Sequence, residues 1–154
     1  MEDFFMKIGI LSDTHGVVRE SWHHYLDSCD YLIHAGDVHN RSSYDQLKNF
    51  GIPIYFVRGN NDFGDWARFL PETLQVPIGG KIFYIVHQLP RLPRNVSEAD
   101  FIIFGHTHHY ACYEQGGQVF LNPGSAGQGR GESEGFVILE FQGNSYHVEH
   151  ILLS

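Results

Sequence analysis

Five short apolar runs mark out the first two thirds of the chain, and each breaks off at a polar side chain with a lone pair to offer. Ile8-Gly9-Ile10-Leu11 leads into Ser12-Asp13-Thr14-His15, and Tyr31-Leu32-Ile33-His34-Ala35 leads into Gly36-Asp37. Ile54-Tyr55-Phe56-Val57 leads into Arg58-Gly59-Asn60-Asn61-Asp62, Ile82 to Val86 into His87, and Phe101 to Phe104 into Gly105-His106-Thr107-His108. Apolar runs of this length, bounded by turn residues, read as single buried strands. An α/β sheet gathers its ligand site at the carboxyl ends of its strands. These five ends are therefore expected to converge on one metal centre.

The spacing between the runs predicts what connects them. Val18, Trp22, Tyr25, Leu26 and Cys29 form one apolar stripe at helical spacing, which predicts a helix over about 17–28. A second helix is expected to start at a cap on Asn40 or Ser42, carry Tyr44 and Leu47 inward, and close at Gly51-Ile52-Pro53. This β-α-β-α-β opening favours parallel strands with right-handed crossovers.

Antiparallel signals follow. Residues 66–70 have room for a helical turn or two, and Thr73 to Ile78 with Lys81 to Val86 form a hairpin about Gly79-Gly80. Residues 88–100, with Pro90 and Pro93, leave space for little more than a short helix near 96–99. Arg91 and Arg94 there are either part of a plain surface loop, the commoner case, or a basic rim beside the site. Two more hairpins are expected, 110–114 with 118–121 and 136–141 with 146–153, separated by a glycine-rich run that lacks the ending of a nucleotide-binding loop. The pattern predicts a sandwich of two mixed sheets with helices outside.

The 154 residues suit a single domain spanning 1–154, large enough to bury a core without staples. Cys29 and Cys112 form no metal or disulfide spacing and read as reduced thiols. The amino end, Met1 to Met6, carries acids where a secretory leader has bases, and no run approaches the ~18 apolar residues of a membrane span. A cytoplasmic location is expected, with no membrane partner. A net charge of -8, from 10 basic against 18 acidic residues, offers no footprint for double-stranded nucleic acid. It does not exclude a small phosphate substrate, because cations in a cleft outweigh a mildly acidic surface locally. Exposed aromatics such as Trp66 and Phe69 suit a subunit contact, so a homo-oligomer is an expectation.

Eleven histidines, several at strand ends, change the chemical picture. Asp13, His15, Asp37, Asn60, His87, His106 and His108 exceed the about four ligands of one tetrahedral zinc site, and their mixed donors suit manganese, iron, cobalt, nickel or zinc. Two metals sharing a carboxylate is the economical assignment, and Asp37, alone on its loop after a glycine, is the natural bridge. A metal pair roughly 3.5–4 Å apart lowers the pKa of a bound water toward ~7 and orients an ester for in-line displacement. Hydrolysis of a small phosphoester is the expected reaction.

Asp13-x-His15, Gly36-Asp37, Gly59-Asn60-Asn61-Asp62, His87 and Gly105-His106-Thr107-His108, in this order and followed by Asn122-Pro123-Gly124-Ser125, resemble the calcineurin-like metallophosphoesterase superfamily, and within it the small YfcE-type phosphodiesterases. The resemblance implies a four-layer αββα sandwich. It implies that Asp13, His15 and His108 hold one metal and Asn60, His87 and His106 the other, with Asp37 between them and manganese or nickel as typical ions. It also places Asn60, Asn61 and Asp62 in the catalytic loop, Asp62 as a support for a ligand histidine or as a cap. Asn61 stands where many larger members have a histidine that assists the leaving group; an amide donates a hydrogen bond but is no general acid, so substrates with good leaving groups are expected. His39 and His109 are the candidates to supply a proton instead. Gln88 stands where relatives commonly have glycine. The same fold also serves as a non-catalytic scaffold, as in the retromer subunit that resembles these enzymes, and a phosphomonoesterase is a further alternative.

Overall fold

Period-two alternation along the central strands separates two apolar faces, and this alternation builds the architecture. The structure, a computed structural model, describes residues 5–128 and 133–153. Its strands are β1 (Met6–Leu11), β2 (Tyr31–His34), β3 (Ile54–Phe56), β4 (Thr73–Ile78), β5 (Lys81–Val86), β6 (Phe101–Ile103), β7 (Ala111–Gln115), β8 (Gln118–Asn122), β9 (Gly135–Gln142) and β10 (Ser145–Leu152); α1 is His23–Leu26 and α2 is Arg41–Lys48. They form two five-stranded mixed sheets, in the orders β10-β9-β1-β2-β3 and β4-β5-β6-β8-β7. β1, β2 and β3 are parallel, as are β5, β6 and β8, and antiparallel strands complete each sheet.

Ile8 and Ile10 of β1, Val137, Leu139 and Phe141 of β9, Phe83 and Ile85 of β5, and Phe101 and Ile103 of β6 meet in one buried cluster between the sheets. The alternate residues Phe136 and Ile138 turn outward onto Trp22, Leu26 and Leu47, so the helices cover the first sheet. On the second sheet Tyr84, Val86, Ile102 and Phe120 are covered by Leu89, Leu92, Val96 and Ala99 from the 88–100 segment. The sandwich expected from the sequence is present, with its fourth layer reduced to a loop that holds a 3-10 turn at Leu89–Arg91.

The helices are shorter than the apolar stripes suggested. Over 17–28 the chain makes a 3-10 turn at Glu20–Trp22 and then α1, because β-branched Val17 and Val18 stay outside the helix and no side chain caps its start. Trp22 and Leu26 still bury completely, which is why the stripe was readable. Asn40 rather than Ser42 caps α2, its Oδ1 accepting from Ser43 N at 2.9 Å. Residues 66–70 form successive tight turns, Ala67 N donating to Gly64 O and Leu70 N to Ala67 O, with no α-helix. Cys29 is buried and Cys112 exposed, both free. Residues 1–4 of the amino end and 129–132 of the glycine-rich run lie outside the described residues. No helix among the described residues is long and apolar enough to cross a membrane.

Candidate metal centre

Beyond the ends of β1 and β2 the pairing continues as loop-to-loop hydrogen bonds: Asp13 N to Gly36 O at 2.9 Å, His15 N to Asp37 O at 3.0 Å and Gly16 N to Val38 O at 2.9 Å. Gly105 N donates to His87 O at 3.0 Å and Ala126 N to Ser12 O at 3.2 Å, which ties loops of the second sheet to one another and to the first. Asp13, His15, Asp37, His39, His106 and His108 all have positive φ, between 46° and 91°. Such backbone costs about 1–3 kcal/mol per residue and persists where the surroundings over-determine it, which is the pattern of a functional site. Close approach dictates two glycines. A Cβ on Gly36 would stand 2.7 Å from His87 Nδ1, and one on Gly59 would overlap Asp37.

All seven predicted ligands meet. His108 Nε2 lies 3.3 Å from Asp13 Oδ1 and 3.2 Å from His15 Nε2, and His15 Nε2 is 3.5 Å from Asp37 Oδ2. On the other side His87 Nε2 lies 3.3 Å from Asp37 Oδ2, 3.8 Å from Asp13 Oδ1 and 2.9 Å from Asn60 Oδ1, while His106 Nδ1 is 3.2 Å from the same amide oxygen. Asp37 thus stands between the two groups. Asp13 reaches both as well, and the metal-competent trios are Asp13-His15-His108 and Asp13-Asp37-His87.

The donor set fits cations. Carbonyl oxygens only accept, so His87 Nδ1 donates to Ala35 O at 2.7 Å and His108 Nδ1 to Gln128 O at 2.6 Å. Each imidazole consequently turns an Nε2 lone pair toward carboxylate oxygen, an arrangement that needs positive charge between the partners. Asp13 Oδ1 is buried without a hydrogen-bond partner. Burial pulls the His87 pKa down, but the carboxylates of Asp37 and Asp13 and the Ala35 carbonyl outweigh it and hold it above the ordinary value. Burial pushes Asp13 and Asp37 up, yet both lie below the usual carboxylate range because of their imidazole neighbours, with Ser12 also serving Asp13 and Asn61 serving Asp37.

Asn61 is engaged with Asp37 rather than free to act elsewhere: its backbone N donates to Oδ1 at 2.9 Å and its Nδ2 to Oδ2 at 3.0 Å. Among the described residues Asp62 pairs with no imidazole. It accepts from Asp37 N at 3.0 Å, Gly59 N at 2.8 Å and His39 N at 2.8 Å, so of its two expected roles the structure shows the cap. Its pKa is raised by burial against the pull of these N–H groups. His39, exposed, has its ring 6.2 Å from that of His15, and His109 is exposed with its N donating to Thr107 Oγ1.

Several supporting residues had no role legible in the sequence, Ser125 entering only as the end of the Asn122-Pro123-Gly124-Ser125 motif. Ser12 Oγ donates to Asp13 Oδ2 at 2.6 Å, and Ser125 Oγ donates to Asp13 O at 2.7 Å while accepting from Gln128 N at 2.7 Å. His34, fully buried, accepts at Nδ1 from Gly36 N at 3.1 Å and meets Thr14 Oγ1 through Nε2 at 3.0 Å. A cleft of about 530 Å³ opens beside Asn60 and His87, with Arg58, Phe63, Gln88 and Arg91 in its walls. Arg91 is therefore both a loop residue and part of a basic rim. Trp66 packs into the outer cluster of the first sheet, whereas Phe69 is exposed.

Comparison with known proteins agrees with this geometry. The chain is 28% identical over 138 residues to a phosphodiesterase of Methanocaldococcus jannaschii, covering 77% of this chain and 83% of the relative. Its fold matches that of a conserved Streptococcus pneumoniae protein, described as a predicted phosphoesterase, with TM-score 0.80 and 25% identity over 97% of this chain and 90% of the other. It also matches vacuolar protein sorting 29 of Cryptosporidium parvum, with TM-score 0.76 and 21% identity over 99% and 100% of the two chains, a likeness of fold alone. The model of the calcineurin-like phosphoesterase superfamily domain matches residues 6–144, and the chain belongs to that superfamily.

Proposed function

We propose that this chain is a phosphodiesterase that works with two divalent cations. Asp13, His15 and His108 would hold one, Asn60, His87 and His106 the other, and Asp37 both. The observation that carries this reading is the pair of imidazoles, His87 and His108, whose Nε2 atoms both face Asp13 Oδ1, at 3.8 and 3.3 Å, while His87 and His15 each also face Asp37 Oδ2, at 3.3 and 3.5 Å. When bound, such a pair supplies an activated water and neutralises charge developing on the phosphorus oxygens. The protein's own part is positioning. Ser12, Asn61 and the Ala35 and Gln128 carbonyls fix the donor atoms, and buried Asp62 ties the loop of Asp37 to that of Gly59. Asn61 offers amide hydrogens but no acidic proton, so the leaving group departs on its own basicity and the rate falls steeply as its pKa rises.

The test is metal content together with turnover. The manganese-loaded protein is expected to hold close to two ions per chain and to cleave bis(p-nitrophenyl) phosphate faster than p-nitrophenyl phosphate. Asp37→Ala removes several kcal/mol of charge-holding capacity, on the order of 10³-fold in kcat/KM. A faster monoester reaction would make it a phosphomonoesterase. Folded protein with two ions and no turnover on either ester would make it a scaffold, like the fold's use in vacuolar protein sorting.

A further inference from the structure

The cleft beside Asn60 and His87 sets two guanidinium groups and an aromatic ring next to the donor cluster. Two of the chain's ten basic residues, Arg58 and Arg91, line it together with Phe63, which is 74% exposed. Arg91 has no ion-pair partner among the described residues, and Arg58 is offset only by Glu72, 3.8 Å away with its side chain 73% exposed. The other carboxylate in the walls, Asp62, is buried and taken up by backbone N–H groups.

All three cleft side chains stand on anchored backbone. Leu89 and Leu92 pack into the outer core of the second sheet and pin the 3-10 turn that carries Arg91. Arg58 N is bonded to Pro71 O at 2.7 Å, and Phe63 directly follows Asp62. We infer that this cleft is a subsite for a nucleotide moiety of the diester, its second phosphate meeting Arg91 and Arg58 and its base stacking on Phe63. The inference rests on the phosphodiesterase reading for what occupies the neighbouring donor cluster.

Guanidinium groups match phosphate oxygens in a fixed, two-pronged geometry, and an exposed phenyl beside cations is a platform for a flat ring. A volume of about 530 Å³ lies in the ~300–1,000 Å³ range of small-molecule pockets. A net charge of -8 opposes a polynucleotide, so the ligand is a small nucleotide ester.

Calorimetric titration of the full manganese-loaded chain tests this with adenosine 3′,5′-bisphosphate, adenosine 5′-monophosphate and inorganic pyrophosphate. The bisphosphate is expected to bind at least tenfold more tightly than the monophosphate, and Arg91→Gln to erase that ratio. Phe63→Ala is expected to weaken both adenine ligands about fivefold or more. Arg94→Gln, on the same loop but outside the cleft, is expected to keep the wild-type ratio. Equal affinity for mono- and bisphosphate, an unchanged ratio in Arg91→Gln, or pyrophosphate binding as tightly as the bisphosphate would each overturn the assignment. Binding is read without turnover. Normal nucleotide binding without cleavage of any diester therefore sinks the phosphodiesterase reading alone, whereas cleavage of bis(p-nitrophenyl) phosphate without the binding contrast sinks the subsite alone.

Discussion

The two halves of the donor cluster use similar side chains on different foundations. Asp13, His15 and His108 sit at φ of 53°, 46° and 64°, whereas in the other half only His106, at 75°, is left-handed. His87 is braced by the carbonyl of Ala35, buried in the core between the sheets, and His108 by the carbonyl of exposed Gln128. One half is supported by a sheet and the other by a turn knotted through Ser125. Strain is tolerated in the first half because hydrogen bonds from outside it fix the backbone, so it is expected to depend more on each bond and on the ion proposed for it.

On the two-ion reading, removing both ions is expected to give the largest effect. A ligand present at ~1,000 times its Kd adds about 4 kcal/mol per site, and a chain of this size shifts by about 2–4 °C per kcal/mol. Chelation is therefore expected to lower the thermal midpoint by roughly 15 °C or more, measured by calorimetry. Refilling sharpens the contrast: the half built on His87 fills first, and the half on His108 about tenfold more weakly, a difference of about 1.4 kcal/mol. Two equal steps in the titration would break the comparison.

Much of this was readable from the chain and some was not, for physical reasons. Strand ends were legible because an apolar run must stop where it leaves the core, and the donor residues stand at those stops. The sheets' two-faced alternation, Phe136 and Ile138 outward against Val137 and Leu139 inward, was equally visible. The apolar stripe over 17–28 overstates the helix, since Trp22 and Leu26 bury in the same way from one short turn as from a long helix. Asp62 drew a role toward histidine because carboxylates often orient imidazoles, but here carbonyl oxygens do that work, and no side-chain identity betrays a carbonyl acceptor. Ser125 was visible only as the end of a motif, and its bond to Asp13 spans 112 positions.

Ser125→Ala probes the knot itself. It removes the donor to Asp13 O and the acceptor for Gln128 N, leaving buried groups unpaired at about 1–3 kcal/mol. Denaturant unfolding is expected to show a loss of about 2 kcal/mol. Affinity for the weaker ion is expected to fall by about 10–100-fold, the range for residues that orient a ligand, while the tighter ion is unaffected. Equal weakening of both would show that the halves share one support.

His34 is where such a shared support would lie, since it bonds Gly36, next to Asp37, and Thr14, between Asp13 and His15. Burial pushes its pKa down to about 3, against the pull of Asp13. In the unfolded chain the ring takes up a proton below ~6.5, whereas in the folded chain it stays neutral to about 3. The unfolded state thus binds more protons in that window, so stability is level above pH ~6.5 and falls as pH drops, by up to about 1.4 kcal/mol per unit. His34→Gln keeps an amide hydrogen for Thr14 and cannot titrate. Comparing it with the parent, both metal-free, cancels the contributions of Asp13, Asp37 and His87. The parent's stability relative to the variant is expected to shrink by about 1 kcal/mol per unit from pH 6.5 to 4.5 in urea titrations. Parallel curves would mean that His34 gains its proton in the folded state, which would require the loops carrying both halves to open together.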